Sequence, residues 1–287
     1  MQAEIRDSSA QQVSGLDVLD LAPARDKGAL GRRIWRGAWP KLLAVVLVVA
    51  VWQLVVLSGW KPEYVLPGPA TVFSDLKGLV VRGDFWDGVR LTLLRAVTGF
   101  ALAVLIGTFL GAAVSRFAPL RAAIGSLITG LQTMPSIMWF PLAILLFQIS
   151  ESAILFVVVI GAAPSVANGL ISGIDYVPRI WLRVGQVLGM KGVAKYRHLI
   201  LPASLPSLIS GLKQGWAFSW RSLMAGELLV VVPGALSMGV RMQQARDLTE
   251  ASLVISYIIV VLVIGILIDL LFNAADNTLR KRWGLTV

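Results

Sequence analysis

Three ionisable side chains, Lys213, Arg221 and Glu227, stand inside one otherwise apolar run from Leu205 to about Val232. A charge held among hydrocarbon is costly, so the charges a chain keeps there face inward, pair with one another or meet a polar solute. Lys213, Trp220 and Glu227 recur every seven residues and share one helix face. On a helix rising 1.5 Å per residue, Lys213 and Glu227 are about 21 Å apart, too far to bond directly. Arg221 is the candidate for an anionic solute, because a planar guanidinium suits the geometry of an oxyanion. The readings that stay open beside it are a bridge to Glu227 of a neighbouring helix, or a head group extended to lipid. Parts for catalysis are few. There is no cysteine and one histidine, His198, which excludes thiolate and histidine-cluster metal sites and a Ser-His-Asp arrangement. No Gly-x4-Gly-Lys-Ser/Thr phosphate loop occurs. The chain is therefore expected to bear no ATPase, to need no cofactor of its own and not to be an enzyme. His198 reads as a surface or interface residue.

A second concentration of chemistry is the basic stretch RIWLRVGQVLGMKGVAKYRHLILPASLP, Arg179 to Pro206, set between long uncharged segments. Trp181, Val184, Val187 and Leu188 have the spacing of one apolar face on a short helix. Gly189 and Gly192 supply joints after it, and Pro202 with Pro206 marks where the next long helix begins.

The elements that position these residues follow from composition. The 287 residues are 56% hydrophobic and 15% charged, more apolar and less charged than an ordinary soluble domain. The expectation is an all-α polytopic membrane protein with about six transmembrane helices, at about 42–60, 91–115, 122–148, 152–174, 205–232 and 251–272. Gly107 and Gly111, four apart, suit close helix contact. Pro135 and Pro141 must kink or break the third span. Pro67-Gly68-Pro69 precedes a short surface helix over 70–81, and 233–250 reads as a loop. Residues 1–41 read as a cytoplasmic, partly disordered, basic N-terminal segment without a cleavable secretion signal, 42–275 as the transmembrane domain, and 276–287 as a cytoplasmic basic tail.

Charge sets the orientation. Segments 27–41, 116–121, 179–197 and 280–282 hold fifteen Lys and Arg, whereas 61–90 with 241–246 hold six. The richer set belongs inside, so both termini are cytoplasmic and the basic loop faces the cytoplasm. The formal net charge of +10 lies mostly at the ends of apolar runs, which points to lipid and topology and away from nucleic acid.

The loop also resembles a family. Gly189, nine further residues, then Leu199-Ile200-Leu201-Pro202 is similar to the loop of permease subunits of binding-protein-dependent ABC importers. There the sequence runs Glu-Ala-Ala, three residues, Gly, nine residues and Ile-x-Leu-Pro. Arg183-Val184-Gly185 stands where the family has Glu-Ala-Ala, so the first helix of the loop is expected to be held differently. Leu66-Pro67-Gly68-Pro69, Arg95 with Gly99-Phe100, Met134-Pro135, Pro141-Leu142 and Gly211 to Glu227 look like the sulfonate, taurine and nitrate importers, over roughly residues 66–283.

That resemblance implies the ABC type I importer permease fold in a bacterial-type plasma (inner) membrane. It makes 179–204 a coupling loop that inserts a helix into a groove on an ATPase chain, with Arg183, Val187, Gly189, Met190, Lys191, Gly192, Lys195, Tyr196, Leu199, Leu201 and Pro202 as its working residues. It implies two copies of the permease, two ATPase subunits holding ATP and Mg, and an extracytoplasmic solute-binding protein. The cargo it implies is a small oxyanion, with a thiamine-precursor pyrimidine or other heteroaromatic as the alternative. A stand-alone secondary carrier is the competing class. Paired repeats and coupling carboxylates usually mark such carriers, and Glu227 and Asp269 are the carboxylates near span interiors here.

Overall fold

The computed structural model describes residues 27–282; the segments expected to form the far N-terminal tail and the last five residues lie outside the described residues. Every described element is helical. The chain divides into a unit ending at Lys61 and a second beginning at Pro62. The first holds α1, Lys27–Leu57, with Pro40 inside it and an apolar stretch at Trp39–Leu57.

The second unit begins with α2, Pro69–Val81, entered through Gly68 with Pro69 in its first turn, where a missing N–H costs nothing. Then come α3, Gly83–Arg116, and α4, Ala118–Thr133. A 3-10 turn at Ser136–Trp139 leads into α5, Phe140–Phe147. The long helix α6, Glu151–Asp175, is followed by α7, Arg179–Val187, and the single turn α8, Gly192–Lys195. A π-turn over Tyr196–Ile200 joins α8 to α9, Leu201–Leu229. The last two are α10, Met238–Asp247, and α11, Ala251–Arg282.

Among the described residues, α1, α3, α6 and α11 are long and apolar enough to cross a membrane. The pair α4 and α5 makes a fifth span if taken as one, bent by 106°. The break falls at Met134–Pro135, and Pro141 only opens α5. At 29 residues α9 has the length, but it carries Lys213, Arg221 and Glu227.

Helix ends differ from the apolar runs. The polar residues from Gly83 to Arg90, read as external loop, begin α3 instead, because a helix need not stop where hydrocarbon does. Residues 238–247, also read as loop, form α10 behind an N-cap at Ser237, whose hydroxyl accepts the Val240 N–H at 3.5 Å. Nor does Pro206 mark the start of α9. The helix runs on from the π-turn and includes Pro206, while Pro202 occupies the first turn. A widened turn gives room to a proline ring that an α-turn would crowd.

The hub is α6, on which α3, α4, α5 and α9 all pack. Its Ile154, Val157 and Val158 join Ala96 of α3, Phe140 and Ala143 of α5, and Trp216, Trp220 and Leu223 of α9 in the main core. Hydrophobicity does not drive helices together in lipid, so close packing and interhelical hydrogen bonds have to. Gly107 and Gly111 provide the close packing. A Cβ on Gly107 would lie 2.5 Å from the Ala163 carbonyl oxygen, and one on Gly111 2.9 Å from that of Ala167.

Candidate functional site

The basic loop is an ordered hairpin. Its helix α7 ends in the left-handed turn that glycine favours: Gly189 has φ +72°, its N–H bonds the Gln186 carbonyl at 3.0 Å, and the Met190 N–H bonds the Gly185 carbonyl at 2.9 Å. This paired closure is the Schellman arrangement. Gly192 is left-handed as well, φ +53°, and sends the chain into α8. Gly185 is buried, and a Cβ there would come within 2.8 Å of a Leu199 methyl. Of the three residues that depart from the family pattern, Gly185 is the one on which the two arms of the loop meet. Trp181, Val184, Val187 and Leu188 remain exposed, Val187 at 87%. Arg183, Lys191 and Tyr196 are exposed too, Lys195, Leu199 and Met190 are half-buried, and Leu201 beside half-buried Pro202 is open. Among the described residues nothing covers this apolar face, which has cations around it and the character of an interaction surface. Beneath it, Arg121 of α4 pairs with Asp175 at the end of α6. His198 is exposed, with Nδ1 3.1 Å from the Ala194 carbonyl.

The residues of α9 separate into two groups. Lys213, Trp220 and Arg221 line a cavity of about 510 Å³ between α9 and α11, with Trp216, Asp269 and Asn273. Lys213 is 3.1 Å from Asp269 and 2.7 Å from the Asn273 amide oxygen. The Trp216 and Trp220 rings stack with centroids 6.3 Å apart. Arg221 is exposed, rests its guanidinium 4.9 Å over Phe218, and donates to the Ala217 carbonyl at 3.1 Å. No carboxylate of the described residues lies within ion-pair distance of it. At this cavity Lys213 is half-buried and Arg221 exposed, and a cation in an apolar span is costly to leave against acyl chains.

Glu227 belongs elsewhere. It is fully buried, and its carboxylate accepts from Arg95 at 2.9 Å, from the Thr92 hydroxyl at 2.9 and 3.1 Å, and from the Gly239 N–H at 3.0 Å. Arg95 also grips Glu151 with two nitrogens, one of them at 2.8 Å. A bridge from Arg221 to this carboxylate is therefore not made within the chain. The sequence reading missed Thr92, Glu151, Asn273 and the role of Arg95. The signal was present in pairs: Thr92 and Arg95 lie three apart, and Asp269 and Asn273 four apart, each on one face of an apolar helix.

Residues 103–281 match the model of the family described as "Binding-protein-dependent transport system inner membrane component". The putative aliphatic sulfonates transport permease protein SsuC of Bacillus subtilis is 27% identical, over 86% of this chain and 88% of its own. The bicarbonate transport system permease protein CmpB of Synechococcus elongatus is 27% identical, over 83% and 90%. In fold, the chain is similar to a solved chain of the MetNI methionine ABC transporter in an inward-facing conformation, with TM-score 0.52, 18% identity, and 71% and 98% of the two chains covered.

Proposed function

The chain belongs to the binding-protein-dependent transport system inner membrane components, and from that premise we propose that its cargo is a small oxyanion such as a sulfonate, taurine or nitrate. It is a multi-pass permease subunit of an ABC importer and not an enzyme, and it works with ATPase and solute-binding partners. In our reading two copies form the pore, and two ATPase chains hold ATP and Mg²⁺. The exposed α7 of each copy seats in an ATPase groove. ATP binding draws the ATPases and the two coupling loops together and opens the pore outward; hydrolysis resets it.

The observation that carries the cargo reading is Arg221. Lys213 is already taken by Asp269, so Arg221 is the cation of the α9–α11 cavity whose donors remain for a solute. Relatives named for aliphatic sulfonates and for bicarbonate point the same way. The test is uptake of radiolabelled sulfonate, nitrate, bicarbonate and a pyrimidine into vesicles holding the reconstituted importer. A charge-assisted hydrogen bond contributes about 1.5–3 kcal/mol, so Arg221→Gln should lower anion uptake by about ten- to a hundredfold with ATPase binding intact. Unchanged uptake removes Arg221 from the pathway, and transport of the pyrimidine alone replaces the cargo.

A further inference from the structure

The buried ion network joins the outer end of α9 to an external helix, and we propose that Glu227 and Thr92 are positioning residues that couple α10 to the cytoplasmic loop through α9. The proposal rests on the permease reading above. From Gly192 to Leu229 the chain is helical without interruption, passing through α8, the π-turn and α9. One end of this rod carries Leu199, which seats Gly185 of α7. The other end carries Glu227, two residues before the helix stops.

At that outer end the contacts are specific in direction. The Met238 N–H donates to the Thr92 hydroxyl at 3.1 Å and the Gly239 N–H to Glu227 at 3.0 Å. Two of the free donors that open any helix are thus taken by side chains from α3 and α9. A Cβ on Gly239 would overlap the Cβ of Glu227, so the first turn of α10 bears directly on α9 with no compliant side chain between them. Arg241 adds a pair to Asp84 of α3 at 2.9 Å. The far end of α10, Gln244, Arg246 and Asp247, is exposed, on the side that the Lys and Arg count assigns to the exterior. Apolar packing would fill the same space at lower cost. A buried carboxylate with every oxygen engaged instead fixes one register among three helices, which a joint that transmits displacement needs.

Coupling between two sites is reciprocal, so a reporter on α10 should sense the nucleotide state of the ATPase. The chain has no cysteine, so Gln244→Cys, labelled before the ATPase is added, takes one spin label per permease copy. In the complete permease–ATPase complex, trapping with ATP and vanadate should shift the spectrum of that label. Thr92→Val and Gly239→Ala should abolish most of the shift while ATP hydrolysis continues. Thr92→Ser, which keeps the hydroxyl, should restore it, and Glu151→Gln, which leaves the α10 contacts in place, should keep it. A shift that survives in both Thr92→Val and Gly239→Ala, is absent in the parent complex, is lost equally in Glu151→Gln, or is not recovered in Thr92→Ser overturns the proposal. A chain that holds no ATPase overturns instead the permease reading beneath it.

Discussion

Around Glu227 every carboxylate oxygen has donors at 2.9 to 3.1 Å and the group is fully buried. On the same helix, Lys213 meets Asp269 and Asn273 with 40% of its side chain exposed, and Arg221 reaches no carboxylate among the described residues. The two regions spend charge differently. A closed network leaves nothing for a visitor and suits holding helices in place; an open pair beside a cation with spare donors suits something that enters and leaves. Burial and saturation of hydrogen bonds distinguish the two, whereas residue type does not.

The strongest challenge to this contrast is Arg95→Met. It leaves Glu227 buried without its cation, at a cost of about 3–5 kcal/mol, and should abolish recovery of folded protein or lower the Tm sharply in detergent. A Tm like that of the parent would mean that Glu227 is not held as an ion. Thr92→Val is milder. It deprives the Met238 N–H of its acceptor and Glu227 of a donor, worth about 1–3 kcal/mol, and should lower the Tm while the chain still folds. In the open cavity, Lys213→Met should change stability by no more than about 1 kcal/mol, because Asp269 is half exposed and can be solvated. A loss as large as that of Arg95→Met would show that the cavity is sealed in the assembled protein and that the two regions do not differ.

The large features of the fold were legible in the sequence because they depend on local sums. Apolar runs gave α1, α3, α6 and α11, Met134–Pro135 gave the break after α4, and the spacing from Gly189 to Pro202 pointed to the loop. The loop's closure by Gly189 is also local, since it follows from one residue's freedom to take positive φ. What stayed hidden is tertiary. Arg95 finds its partners 56 and 132 positions away, and nothing in its own neighbourhood says which carboxylate it meets. Glu227, grouped by its spacing with Lys213 and Trp220, faces α3 and α10 because of what packs at the outer end of α9. Helix α10 escaped notice because it is ten residues long and polar, and its stability comes from its cap and its neighbours.

The glycine seam between α3 and α6 has a mechanical meaning as well. At Gly107 and Gly111 the backbone of α3 lies against the Ala163 and Ala167 carbonyl oxygens, with the side chains of Val166 and Leu170 packed beside it. Sliding there would need the helices first to separate. A contact this close favours movement of α3 and α6 together over movement of one past the other.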